Sequence, residues 1–252
     1  MKIALSFRGK IGHSKGRDGH GDELDLNINF NHLKKYILDE YENVDIFIHS
    51  ISADIENSKE KLEIFKPIYL EVEKQKKFGM EKDISLLEMG DEGINGNTSG
   101  QKLRVISEKY SMYKCLDQVE KYEEENKFKY DVVMITRLDV GFFKDIDFSK
   151  YDMNYFYASN RNDPPLKENN YKANYLNHYA GYAFQDLWFF SNSENLDKFS
   201  KLYDEIENYE INPHRSSMQH VKKFIGKNKI KYTLYRWFDY ELLRRKFFKS
   251  KK

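Results

Sequence analysis

Arg137 and Asp139 stand one residue apart at the end of the apolar run Val132-Val133-Met134-Ile135. In a strand, side chains two positions apart project from the same face. The carboxyl end of a buried strand is where open α/β sheets build ligand sites. There, Asp139 can reach a divalent cation bound to a diphosphate, and Arg137 can steady a phosphate or a neighbouring carboxylate. The same two residues can equally close the strand end as a plain ion pair, and the triplet alone does not choose.

A second candidate follows the first expected strand, Lys2 to Phe7. The glycine-rich stretch from Gly9 to Asp22 offers backbone amides and basic side chains to an anion, with Ser6, Arg8 and Gly9 nearest the strand. It carries neither the Gly-Lys-Ser/Thr ending of a P-loop nor a Gly-x-Gly-x-x-Gly, and His13, Asp18 and His20 lack helical ligand spacing. Most of it therefore reads as flexible loop. Asp186 precedes the strand Leu187 to Phe190 and can act as a general base, although its spacing alone favours a turn cap. His178 and His214 are weaker candidates; Pro213-His214 opens a helix, where the imidazole serves a phosphate or only caps the surface. Nucleophilic hydrolysis is disfavoured, because Gly-x-Ser-x-Gly is absent and Cys115 lies in a helix without a nearby histidine. The loop of residues 88–100 fails the EF-hand pattern at Gly93 and Lys102 and reads as a lid or connection.

These residues need elements to position them. Helices are expected at Asn31 to Glu42, at Gln101 to Asn126, from Ser193 as N-cap to Glu207, and at Pro213 to Phe224. Further strands are expected at Val44 to His49, Ile68 to Val72 and Asn154 to Ala158. In the long helix Leu103, Ile106, Tyr110, Tyr113, Val119 and Tyr122 make an apolar stripe beside a polar one of Arg104, Ser111 and Lys114. Strands alternating with helices, without repeats or a long linker, predict one α/β domain across the 252 residues. A hydrophobic share of 40% supports a real core despite a mean hydropathy of -0.81. A formal net charge of +1 gives no field for nucleic acid. The single cysteine excludes an intramolecular disulfide and suits a reducing cytoplasm. No signal peptide or membrane-spanning run is read from the sequence. Aromatics and basic residues mix from Arg236 to the end, as a tail for an anionic membrane surface or a frayed end after a last helix.

Taken in order, several segments resemble a family of GT-A-type glycosyltransferases found in bacterial surface-polysaccharide clusters and in large DNA viruses. They are Lys2 to Gly9 with its glycine-rich loop, Val44 to Ser50, Phe65-Lys66-Pro67, Ser111-Met112-Tyr113 and Tyr130 to Phe143. Gln185 to Phe189, Ser193-Glu194-Asn195 and Pro213-His214 complete the set. The resemblance implies a single-domain, GT-A-like (Rossmann-like) mixed sheet flanked by helices. Residues 1–140 would form the nucleotide-sugar half and residues 141–252 the acceptor half. It implies a Leloir-type enzyme, cytoplasmic or at the inner face of the membrane, acting on a capsular or lipooligosaccharide acceptor. Donor contacts would come from Ser6, Arg8, Gly9, Arg104, Lys114, Arg137 and Asp139, acceptor contacts from His178 and His214, and the general base would be Asp186. A divalent metal, Mn2+ or Mg2+, would sit on Asp139. Arg137 replaces the first carboxylate of the family's Asp-x-Asp, so metal dependence stays open. A catalytically inactive glycan-binding protein and a phospho- or nucleotidyltransferase are the alternatives.

Overall fold

The computed structural model describes residues 1–11, 24–74, 76, 78, 99–160, 184–210, 212–235 and 239–243. Its centre is a seven-stranded sheet built from β1 (Ile3–Gly9), β2 (Val44–Ile51), β3 (Tyr69–Glu73), β4 (Val132–Arg137), β6 (Phe156–Asn160), β7 (Trp188–Ser191) and β8 (Ile230–Tyr235). The strand order is β3-β2-β1-β4-β7-β6-β8. Only β7 runs against the others, pairing antiparallel with both β4 and β6. The expected mixed α/β sheet flanked by helices is therefore the one observed. A small second sheet pairs β5 (Val140–Phe142) with β9 (Tyr240–Leu242).

The central strands are apolar on both sides because both faces are covered. Ile3, Leu5 and Phe7 face a core shared with helices α1 (Leu26–Tyr36) and α2 (Ile55–Leu62). Ala4, Phe47, Val133 and Ile135 face the other core, under the long helix α3 (Ser99–Asn126). Trp188 and Phe190 enter the first core and Phe189 the second, so β7 fastens the two layers. The chain runs from β1 outward through β2 to β3, and α3 then carries it back to β4 on the other flank of β1. A reversal of this kind is where open α/β sheets place their ligand sites, here beyond the carboxyl ends of β1 and β4.

Several boundaries differ from expectation for local reasons. Helix α1 starts five residues early because Asp25 caps it, accepting from the Asn27 N–H at 3.1 Å. It stops at Tyr36, where Ile37 leaves helical geometry, and a short turn at Leu38–Glu40 follows. Asp54 caps α2, a helix that the sequence reading missed. Helix α3 buries Val105, Met112, Cys115, Leu116 and Val119, a wider surface than one stripe, since the sheet lies on one side and α4 (Ser193–Ser200) and α5 (Pro213–Val221) on another. The cap of α4 is Asn192, not Ser193, whose hydroxyl instead donates to Glu123 at 2.7 Å. That helix ends at Ser200 and yields to turns before Glu207. After α5 the described residues return to the two sheets through β8 and β9. Residues 12–23, 79–98 (most of the loop expected at 88–100, whose last two residues open α3), 161–183 and the basic end from 244 lie outside the described residues. Among the described residues no helix is long and apolar enough to cross a membrane.

Candidate active site

Register places the functional side chains. Arg8 lies opposite Arg137 on one side and His49 on the other, and His49 lies opposite Glu71. All four belong to the face that packs on α3, because they keep the alternation of Ala4, Phe47, Val133 and Ile135. A polar row thus crosses four strands just above an apolar layer. Helix α3 adds Glu108, Lys109, Ser111, Lys114 and Gln118 to that row. At the end of β1, Gly9 has φ +114°, a conformation that a side chain resists, and the Ser50 hydroxyl donates to its carbonyl at 2.8 Å.

Beyond β4 the Arg137 guanidinium makes a bidentate fork, Nε to Asp139 Oδ1 and Nη2 to Oδ2, both at 2.8 Å. Its Nη1 lies 3.8 Å from Asp186 Oδ2. Asp186 reaches this position because β7 runs antiparallel: Trp188 pairs with Thr136, so the residues before β7 meet the end of β4. The Arg137 N–H donates to the Leu187 carbonyl at 3.1 Å and fixes the approach. Arg8 donates to the Asp186 carbonyl and lies 3.6 Å from Glu108. Helix α5 supplies His214, whose Nδ1 is 3.7 Å from Asp186 Oδ1. Buried Lys109 joins α3 to α5, bonding Glu108 at 2.8 Å, the Pro213 carbonyl at 3.0 Å and Ser217 Oγ at 2.8 Å.

Three cations, Arg8, Lys109 and Arg137, therefore face three carboxylates, Glu108, Asp139 and Asp186. Burial by itself would raise the pKa of Asp186, but His214, Arg137, Arg8 and Lys109 outweigh it and hold the carboxyl well below the usual range. Burial disfavours the charge of Arg137, yet Asp139 and Asp186 reverse that and raise its pKa. Asp186 and Arg137 therefore stay ionised at neutral pH. An incoming polyanion would meet arginines already oriented and would compete with carboxylates for them. Asp139 does not fit a metal as it stands: both oxygens are held by the guanidinium, and an ion there would have to displace Arg137.

Of the residues expected from sequence, Arg8, Arg137, Asp139, Asp186 and His214 come together here. Ser6 is buried one layer below, beside Cys115. Lys114 is turned to Glu71 at 3.0 Å, on the β3 side, and Arg104 is exposed near the start of α3. His178 lies outside the described residues. Glu108, Lys109, His49, Glu71 and Glu73 were missed. The signal for His49 was the one used for Arg137, a polar residue closing an apolar strand, and Glu71 and Glu73 share a face of β3 by alternation.

Fold and site together define a Rossmann-like α/β domain with a cluster of charged side chains at the switch between two parallel strands. Among solved structures the chain is similar to a 4-diphosphocytidyl-2C-methyl-D-erythritol synthase from Anaerococcus prevotii, with a TM-score of 0.50 and 13% identity over 99% of this chain and 93% of that one. At that identity the likeness is one of fold. No family model matches the sequence, and no curated protein matches it.

Proposed function

We propose that the protein is a glycosyltransferase that takes a sugar from a nucleotide-sugar donor and passes it to a surface-glycan acceptor. The carrying observation is the register pair Arg8–Arg137 at the switch point, with half-buried Asp186 against both. The donor's diphosphate lies over the two guanidiniums, with Lys109 adding charge from α3. As the bond to the anomeric carbon breaks, these cations stabilise the departing nucleoside diphosphate. Asp186 remains ionised and accepts the acceptor hydroxyl's proton late, as the forming bond makes that hydroxyl more acidic. His214, at the edge of the same pocket, orients the acceptor. This arrangement implies inversion.

Nucleotidyl transfer is the second reading. The same three cations can neutralise a triphosphate while a substrate phosphate attacks its α-phosphorus, and the fold likeness to a synthase of that printed name keeps it in view. Product mass separates the two. Incubation with a panel of nucleotide sugars should give free nucleoside diphosphate and a glycosylated acceptor or free sugar. Release of pyrophosphate from nucleoside triphosphates, with a nucleotide added to the product, would replace the first reading by the second.

A further inference from the structure

A second group of ligating side chains lies along the same polar row, two strands away from Arg137. We propose that His49, Glu71 and Glu73 form a binding site for a divalent transition metal, with Zn2+ bound more tightly than Mn2+. The assignment does not depend on sugar transfer.

One nitrogen or oxygen from each of the three residues lies within 4.8 Å of the others. Closing on an ion with bonds of about 2.0–2.2 Å needs shifts of about 1 Å in glutamate side chains that are partly exposed. The backbone already holds the donors in place, because His49 and Glu71 are register partners and Glu73 follows Glu71 on the same face. His49 is fully buried, and the glutamates are 37% and 21% exposed at Glu71 and Glu73, so the ion enters from their side.

Two features go beyond a chance cluster. His49 Nδ1 is hydrogen-bonded to Ser111 Oγ at 2.8 Å, and its Nε2 faces Glu73 Oε1 at 2.9 Å. A ligating histidine uses its second nitrogen in this way, to fix the ring's orientation. Since a hydroxyl both donates and accepts, Ser111 serves either tautomer. The ring's one proton moves from Nε2 to Nδ1 when an ion takes Nε2, with no net release. The second feature is Gln118, which is more than nine-tenths buried. Its Nε2 approaches Glu71 Oε2 at 3.4 Å, while its Oε1 has no hydrogen-bond partner among the described residues. A buried amide oxygen without a donor, on the side chain whose nitrogen approaches Glu71, suits a cation or a water bound to one.

Lys114 holds Glu71 Oε1 at 3.0 Å and Lys76 holds Glu73 Oε2 at 3.2 Å. The opposite oxygens face Gln118 and His49 and are the ones that an ion would use. Imidazole with two carboxylates favours Zn2+ over Mg2+ and Ca2+, which prefer oxygen alone.

The test uses the untagged full chain, stripped with EDTA, dialysed and titrated with ZnCl2 by calorimetry, then with CoCl2 under visible spectroscopy. One equivalent of each should bind, with a Co2+ ligand-field band, and Glu73→Gln and His49→Gln should each weaken binding at least tenfold. Ser111→Ala, which leaves every ligand in place, should weaken it by about tenfold. Circular dichroism of each variant checks folding, and Glu73→Gln changes a partly exposed side chain. Absence of heat and of the cobalt band at millimolar ion would overturn the proposal. So would unchanged binding in Glu73→Gln, or binding abolished by Asp139→Asn and kept in Glu73→Gln.

Discussion

Asp186 is held by charge rather than by exposure to water. Its folded pKa is depressed, so its stabilising contribution is present above the ordinary carboxylate pKa of about 3.9 and fades only as the pH falls towards the lower folded value. Any loss of activity between pH 7 and 4 then belongs to another group. Donor turnover should be lost in Asp186→Asn at every pH across this range, not only on its acid side. Cys115 is the opposite case. It is fully buried, donates to the Phe7 carbonyl at 2.8 Å, and burial pushes its thiol up to about 12. Iodoacetamide at pH 8 should leave the native chain unlabelled and add one label in guanidinium; labelling of the native chain would contradict this packing. At this scale the sequence spoke clearly about position and less about partners. An apolar run ending in Arg-x-Asp located the strand end. That the guanidinium would face Asp186 depended on a strand fifty residues further on and on its antiparallel sense.

Glu123 shows how elements are tied together around the site. From α3 its carboxylate accepts from the Tyr130 N–H and the Ser193 hydroxyl, each at 2.7 Å, and pairs with Lys129 at 2.7 Å. It joins the start of β4 to the start of α4. Glu123→Ala leaves two donors without their acceptor, and chemical denaturation should show a loss of about 2–4 kcal/mol. His220 in α5 is also buried, with Nε2 against the Lys198 carbonyl at 2.8 Å and Nδ1 against Tyr209 at 3.0 Å. Burial lowers its pKa, and the Lys198 carbonyl opposes this only in part. The unfolded chain therefore binds the proton more readily. Stability is complete above about pH 6.5 and falls as the pH drops towards the folded value. His49 adds to the same slope, because burial lowers its pKa too. The urea midpoint should fall from pH 7.5 to 5.5 in the parent and fall less in His220→Gln. Elements with local signals were legible, such as apolar β2 and periodic α3. The strands β8 and β9 were not, since their pairing partners lie far along the chain. Asn192 and Ser193 are both good caps, and only the contact with Glu123 separates their roles.

For the whole molecule, topology does most of the positioning. Alternation of strands and helices identified the class of sheet, and the reversal between β3 and β4 places two arginines side by side at the switch point. The formal net charge of +1 hides this, because the cations and carboxylates of the site nearly cancel. The proposed role of this charged cluster is to take the diphosphate of a nucleotide-sugar donor. Titration calorimetry of the parent chain and of Arg8→Gln and Arg137→Gln, against nucleoside diphosphates and their sugar conjugates, tests it most directly. At least one nucleoside diphosphate, its conjugate included, should bind, and binding should weaken at least tenfold in each variant whose circular dichroism matches the parent. No binding by the parent, or equal binding by parent and both variants, would contradict it.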